Sequence, residues 1–181
     1  MKGIVFSLFE QVVTADRGEE AWDSVLDEAG STGAYTAVGN YPDEDFMRLV
    51  EAAAGVLAQP PDETVRWFGR GALPLLAERY PSFFEGHEST RAFLLTLNNV
   101  IHPEVRKLFP GSYAPEFDFD DTDPDQLVLG YVSHRNLCSF GEGLILGAAD
   151  HFGERVELSQ QLCSKRGDPK CTFVCRFLGA A

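Results

Sequence analysis

A single histidine and, further along the chain, three alternating polar residues have the types and spacing that could do chemistry. His102 follows the stretch Leu94–Ile101, which is rich in apolar residues. Tyr131, Ser133 and Arg135 alternate with other residues, so on an extended strand they would share one face. A neutral imidazole in apolar surroundings is a good axial ligand for haem iron. Two hydroxyls and a guanidinium can bind the two haem propionates, so this arrangement can hold a haem.

The same residues have simpler interpretations, which the sequence alone leaves open. A lone histidine beside leucines is more often a core or capping residue than a metal ligand. Tyrosine, serine and arginine on one strand face are more often the solvent-facing surface of a sheet. Their combination in a helix-rich chain with 14 phenylalanines favours haem without establishing it.

The order of these motifs resembles a known family. A Tyr-x-Ser-x-Arg segment downstream of an isolated histidine, with the opening Met1–Phe6, is similar to the haem-nitric oxide/oxygen binding (H-NOX) family. These are gas-sensing haem domains related to that of soluble guanylate cyclase. The resemblance covers nearly the whole chain and includes Gly33–Thr36 and Tyr80–Phe84. It implies a haem b cofactor.

The resemblance implies a role for each residue of the proposed haem site. His102 would be the proximal ligand of the iron. Tyr131, Ser133 and Arg135 would bind the propionates, with Arg135 contributing most because its hydrogen bonds are charge-assisted. Pro115 falls where the family has a proline that presses on the porphyrin and distorts it, although a proline there could simply end a loop.

The residues expected on the distal side of the haem bear on which gas is bound. Phe140 stands where O₂-binding members carry a tyrosine whose hydroxyl donates to O₂. Val5, Phe9 and Leu144 would complete an apolar ceiling. Because bound O₂ is polar and needs a donor, whereas NO binds ferrous haem without one, the resemblance implies a pocket that takes NO and CO and excludes O₂. Phe140 could equally be an ordinary core residue.

The resemblance also implies a bacterial signalling domain and not an enzyme. NO would weaken the bond between the iron and His102, and the resulting shift would regulate a separate effector, such as a histidine kinase or a cyclic-dinucleotide enzyme. Pro103 predicts that the ligand helix kinks or restarts, which leaves the strength of the iron–histidine bond open. A hydrolase using Ser133 and His134 is disfavoured, because neighbouring strand residues point to opposite faces and no nucleophile elbow is present.

All four cysteines lie in the C-terminal third of the chain: Cys138, Cys163, Cys171 and Cys175. Four thiolates suit a tetrahedral zinc ion, but the same residues could be small buried hydrophobes. The resemblance favours zinc, because a subset of the family binds zinc with such a set, and oxidation of the thiolates would then give a second, redox input. The alternative function is a zinc-containing sensor domain for an aromatic small molecule without haem, which leaves His102 unused.

Composition excludes several other classes of protein. A chain of 181 residues is most simply one domain. The net charge of −13 argues against partners with anionic surfaces, both nucleic acid and membranes. The sequence shows no secretory signal and no apolar stretch of about 20 residues, so we expect a cytoplasmic protein.

The hydrophobic pattern predicts an α+β domain that could position these residues. With the resemblance, it implies a helical distal part over residues 1–60 and a proximal part over 61–181, with the haem between them. The proximal part would contain one helix over 90–108 that carries His102, a four-stranded antiparallel sheet and crossing helices. Pro74 is expected to kink or end its helix. The expected strands are 116–119, 126–132, 156–162 and 171–177.

Overall fold

The first three helices begin and end where the sequence supplies suitable residues. A computed structural model describes all residues from 1 to 181 and shows α1 (Gly3–Arg17), α2 (Glu19–Ala29) and α3 (Asp43–Leu57). Gly18, at φ +88°, separates the first two helices, and Gly30 ends α2 in the left-handed conformation. Acidic residues in the first turns of α2 and α3 favour their helix starts. No helix of the chain is long and apolar enough to cross a membrane.

The fourth helix, α4 (Pro61–Arg79), continues through Pro74. The expectation that Pro74 could end it is therefore wrong. This helix packs very closely on a later one, α7 (Cys138–His151): a Cβ atom at Gly143 would lie 2.1 Å from the carbonyl oxygen of Arg66. Tertiary packing of this kind outweighs the local effect of one proline.

The expected single helix over residues 90–108 is interrupted. It consists of α5 (Thr90–Leu94), a π-helical turn (Leu97–Ile101) and α6 (His102–Leu108). The π-helical turn continues directly into α6, which begins at His102 and has Pro103 in its first turn, so the kink or restart expected at Pro103 stays a prediction. A missing N–H does no harm there, since the first N–H groups of a helix have no helical partner.

The C-terminal half contains the predicted four-stranded antiparallel sheet. Its strands are β1 (Glu116–Asp120), β2 (Gln126–Val132), β3 (Glu154–Leu162) and β4 (Cys171–Ala180), in the order β1-β2-β4-β3. The acidic side chains of β1 alternate outward on this edge strand, while its two phenylalanines are partly buried. Charged residues on an exposed edge discourage pairing with other chains.

Two hydrophobic clusters meet along α4. Val65, Phe68 and Ala72 pack into a cluster with α1, α2 and α3, whereas Leu73 packs into a second cluster with α5, α7 and the sheet. The chain thus has two adjoining cores that share one helix. Since α4 contributes to both cores, the two cores do not separate at residue 60. The division into subdomains near that residue therefore stays a prediction.

Candidate functional site

A large cavity lies where the two hydrophobic clusters meet. Its volume is about 340 Å³, and 24 of its 33 lining residues are hydrophobic. Val5 and Leu8 of α1 line it from the first cluster, while Phe93 of α5 and Ile145 of α7 line it from the second. A cavity of this size and composition suits a flat, largely apolar ligand.

His102 lines this cavity and lies in largely apolar surroundings. Burial, and secondarily the positive charge of Arg106, lowers the pKa of the imidazole to about 4, while a hydrogen bond with the Pro115 backbone acts in the opposite direction. Proline has no N–H, so the ring N–H of His102 is the donor and the Pro115 carbonyl the acceptor. The imidazole is therefore neutral at pH 7 and has its other nitrogen free to bind a metal.

The three predicted propionate-binding residues all line the cavity, but they do not lie on one strand face. Only Tyr131 belongs to β2, which ends at Val132, while Ser133 and Arg135 lie in the turn that follows. The backbone N–H of Arg135 donates to Ser133 Oγ at 3.2 Å, which closes a turn of the kind that serine favours. Tyr131 therefore reaches the cavity from the strand, whereas this turn brings Ser133 and Arg135 to it.

The Tyr131 hydroxyl is held in its neutral form. Burial raises its pKa to about 12, although a hydrogen bond with the Ser133 side chain acts in the opposite direction. A neutral phenol can donate to a carboxylate, as the proposed contact with a propionate requires.

Arg135 is oriented by a residue that sequence reasoning missed. Its Nε donates to Asp43 Oδ2 at 2.7 Å, and the α-ammonium group of Met1 donates to Asp43 Oδ1 at 2.6 Å. Partial burial raises the pKa of Asp43, but hydrogen bonds from the Met1 ammonium and the Arg135 guanidinium outweigh it and hold that pKa below its usual value. No signal in the sequence connects Asp43 with a residue 92 positions away.

The guanidinium retains donors for a further acceptor. Its Nη1 makes only a long hydrogen bond, 3.4 Å, to the Tyr113 carbonyl oxygen. The side chain of Arg135 is 19% exposed, so its charge lies at the mouth of an apolar cavity. A ligand with carboxylates at one edge of a flat apolar body fits this distribution of charge, as haem does.

Three of the four predicted ceiling residues line the cavity: Val5, Phe140 and Leu144. Phe9 does not. Its side chain is fully buried in the first cluster, where its ring lies 4.9 Å from that of Phe68, centroid to centroid. The placement of Phe9 in the ceiling is thus corrected: it packs one layer behind the cavity wall.

Most of the aromatic residues that line the cavity have no signal in the sequence that marks them as cavity residues. These residues come from the end of α4, the segments around α5 and α6, and β1, which the periodicity could identify only as core. They are Tyr80, Phe83, Phe84, Phe93, Phe109 and Phe117. An enclosure built from so many segments is visible only after folding.

A second candidate site lies among the cysteines. The sulfur atoms of Cys138, Cys163 and Cys171 all lie within 4.8 Å of one another, and all three residues are buried. Cys175 is not part of this group, which corrects the predicted set of four. It shares a strand face with Cys171, but four residues along a strand separate them by about 13 Å.

The environments of these thiols differ. Burial raises the pKa of Cys138 to about 11 and that of Cys175 to about 12. Burial also acts to raise the pKa of Cys163, but N–H donors of Lys165 and Arg166 and the neighbouring thiols outweigh it and lower that pKa. The lowered pKa favours the thiolate form of Cys163, which is the form that binds metals.

A neutral, half-buried histidine, an apolar cavity and an arginine beside it suit a haem-binding domain of mixed α and β structure. The family comparison agrees: a family model described as Haem-NO-binding matches residues 2–160, and the chain belongs to this H-NOX family. Members of the family are haem-based gas sensors. No protein in the curated collection matches the chain.

Solved structures agree with this assignment over the full fold. The H-NOX protein from Shewanella oneidensis in the Fe(II)NO ligation state has 28% identity and a TM-score of 0.91, over 99% of this chain and 100% of that chain. Its H-NOX domain in the Fe(II)CO ligation state has 28% identity and a TM-score of 0.88, over 98% of both chains. A mutant H-NOX protein from K. algicida, in the Fe(II) unliganded state, has 25% identity and a TM-score of 0.86, over 98% and 96%.

Proposed function

We propose that this chain is a haem-based nitric oxide sensor that regulates a separate signalling protein. The observation that carries the proposal is the pairing of a neutral, cavity-lining His102 with Arg135 at the mouth of the same cavity. One residue offers a metal ligand and the other offers donors for carboxylates, as a haem requires. The alternative, an aromatic ligand without haem, uses neither group.

When bound, the haem would supply a ferrous iron that takes up NO. His102 would hold that iron and would be the residue released when NO binds. Its segment is a separate short helix preceded by a π-helical turn, so it can move without moving a long rigid helix. Movement of this segment against the sheet is the change that an effector would recognise.

The ceiling of the cavity supports selectivity for NO over O₂. Val5, Phe140 and Leu144 carry no hydrogen-bond donor in their side chains. NO and CO do not depend on such a donor, whereas O₂ does. Among the relatives, the Shewanella oneidensis protein was solved with NO and with CO.

The proposed output is binding to an effector and not catalysis. His134, the one histidine beside Ser133, packs its ring against Tyr113 with the ring centroids 4.0 Å apart. The effector would be a histidine kinase or a cyclic-dinucleotide enzyme in a bacterial cytoplasm, which is the setting that the sequence predicts.

An absorption spectrum of purified protein tests the proposal. We expect a strong Soret band that shifts on addition of NO and of CO and does not change in air. A colourless preparation that binds no added haem would contradict the proposal and favour the alternative.

We further propose that the cysteine cluster holds a structural zinc ion. Cys138, Cys163 and Cys171 supply three sulfur ligands, and a water or one further side chain completes the tetrahedral set. The cluster joins the start of α7 to the loop between β3 and β4, so loss of the metal by thiol oxidation would loosen the same part of the fold that surrounds the haem. This is the proposed second, redox input.

Cys175 provides a matched control for the zinc proposal. Freshly isolated wild-type protein is expected to carry zinc, and Cys171→Ala is expected to lose it. Cys175→Ala should keep it, because this sulfur is buried outside the cluster. Native mass spectrometry with elemental analysis measures the outcome. Four metal-free, unmodified thiols in wild type, or equal zinc loss in both variants, would refute the zinc site.

Replacing Arg135 by alanine is expected to speed haem loss about ten- to hundredfold. The reason is that a charge-assisted hydrogen bond contributes about 1.5 to 3 kcal/mol. Arg135→Lys should fall between wild type and alanine, since lysine keeps the charge but not the fork geometry. The rate is measured by transfer of haem to an excess of an apo-haemoprotein. Arg176→Ala is the control, because this exposed arginine lies on β4 away from the cavity, and an equal effect there would contradict the role of Arg135.

A further inference from the structure

One side chain joins the segment that carries His102 to the edge of the sheet. Asn98 lies in the π-helical turn Leu97–Ile101. Its Nδ2 donates to the carbonyl oxygen of Phe117 at 2.6 Å, and its Oδ1 accepts from the N–H of Phe117 at 3.2 Å. A single amide therefore satisfies both backbone groups of one residue of β1.

This pair of hydrogen bonds takes the place of a neighbouring strand. β1 is an edge strand, so on its outer side the backbone donors and acceptors have no strand to pair with. The amide of asparagine has the same donor and acceptor as a peptide group and can replace one peptide of a missing strand. Two bonds to one residue fix both the distance and the orientation of the π-helical turn relative to β1.

The π-helical turn determines the direction in which His102 points. The N–H of Ile101 donates to the carbonyl oxygen of Thr96, five residues earlier, at 3.1 Å. One extra residue in a turn rotates everything that follows by about 100° relative to a continuous α-helix. The direction of His102, the next residue, therefore depends on the register of this turn.

Phe117 is itself in contact with the proposed haem site. Its ring centroid lies 5.8 Å from that of His102 and 5.6 Å from that of Tyr131. Two residues earlier in the chain, Pro115 lines the same cavity as His102. Asn98 thus joins the π-helical turn before His102 to Phe117, the residue that packs beside the His102 ring.

We propose that Asn98 is the positioning residue of the ligand segment: it holds His102 facing the cavity and makes β1 move with the segment when His102 is released. This inference rests on the proposed function for its second half, since release requires bound NO. Its first half concerns only the geometry of the protein with haem bound.

The test compares Asn98→Ala with Asn99→Ala in the haem-loaded protein. Asn99 is the same residue type in the same turn, but it is exposed. Without the two bonds to Phe117 the segment retreats more easily, so Asn98→Ala should release His102 about tenfold faster after NO is added, which corresponds to about 1.4 kcal/mol. Stopped-flow absorption measures the rate. Asn99→Ala should stay within about twofold of wild type.

Two readouts without NO separate this inference from the proposed function. In the ferrous protein, Asn98→Ala should broaden the iron–His102 stretching band in resonance Raman spectra. It should also speed hydrogen exchange at the Phe117 N–H, which loses its acceptor. Unchanged values of both would overturn the positioning role, whereas a wild type from which NO does not release His102 would instead overturn the proposed function.

A conservative variant covers the case in which Asn98→Ala does not retain haem. Asn98→Asp keeps an acceptor for the Phe117 N–H but has no donor for the Phe117 carbonyl. Its release rate and stretching band should lie between those of wild type and the alanine variant. Values identical to wild type would contradict the proposal.

Discussion

Replacement of His102 by glycine is expected to remove the proposed protein ligand of the iron and to leave the cavity otherwise intact. Glycine deletes the imidazole that lines the cavity. Free imidazole is small enough to enter the vacated space, so adding it to His102→Gly should restore the spectrum of the wild-type ferrous protein. Absorption and resonance Raman spectra, recorded with and without imidazole, measure this.

The control for His102→Gly is His87→Gly. His87 lies in the segment that connects α4 to α5, and it is not among the residues that line the cavity. Its replacement should leave the spectrum unchanged. If His102→Gly kept a wild-type iron–histidine band without added imidazole, another residue would be the ligand, and the assignment of the site would be wrong.

Substitution of Phe140 by tyrosine is expected to raise the affinity of the protein for O₂. Phe140 lines the cavity and stacks on Phe68 with 5.0 Å between ring centroids and 20° between ring planes. Tyrosine can keep this stacking and add one hydroxyl. A hydrogen bond from that hydroxyl to O₂ contributes about 1 to 3 kcal/mol, which is roughly a fivefold to 150-fold gain in affinity.

Phe140→Leu separates the hydroxyl from changes in the size of the cavity. This variant removes the ring without adding a donor, so it should bind NO and CO and still not retain O₂. Oxygen titrations of the ferrous proteins, followed by absorption, measure the affinities. A stable complex with O₂ in the wild type would refute the argument for NO selectivity. A Phe140→Tyr variant that binds no O₂ would show that the position does not bring a donor to the gas.

The elements and the chemical types of the site follow from local patterns in the sequence. The alternation in β1 and β2 and the 3.6-residue periodicity of α1 and α3 reflect one buried face each, so the predicted helices and the four-stranded sheet are confirmed. Pro74 and the stretch from Thr90 to Leu108 were predicted less well. Helix packing against Gly143 overrides the proline, and a π-helical turn interrupts the longer helix.

Several features of the site depend on residues that are distant in sequence. Asp43 reaches Arg135, and Asn98 reaches Phe117, through hydrogen bonds that leave no periodic trace in the chain. Cys175 looked equivalent to the other cysteines, because a strand pattern gives the face of a residue but not its distance from a cluster. Phe9 looked like a cavity residue for the same reason: an apolar stripe does not distinguish the first layer of a wall from the second.

The sequence by itself determined the family, the candidate histidine, the Tyr-x-Ser-x-Arg motif and the absence of a hydroxyl at Phe140, because each of these is a matter of residue type and order. Only the tertiary structure decided which side chains meet. Three cysteines come together and not four. Arg135 is placed by a turn and not by a strand, and the Asn98 amide joins the His102 segment to β1. The physical reason is that hydrogen bonds, ion pairs and metal ligation act over a few ångströms. Their partners are therefore chosen by the packing of helices and strands, which local patterns do not encode.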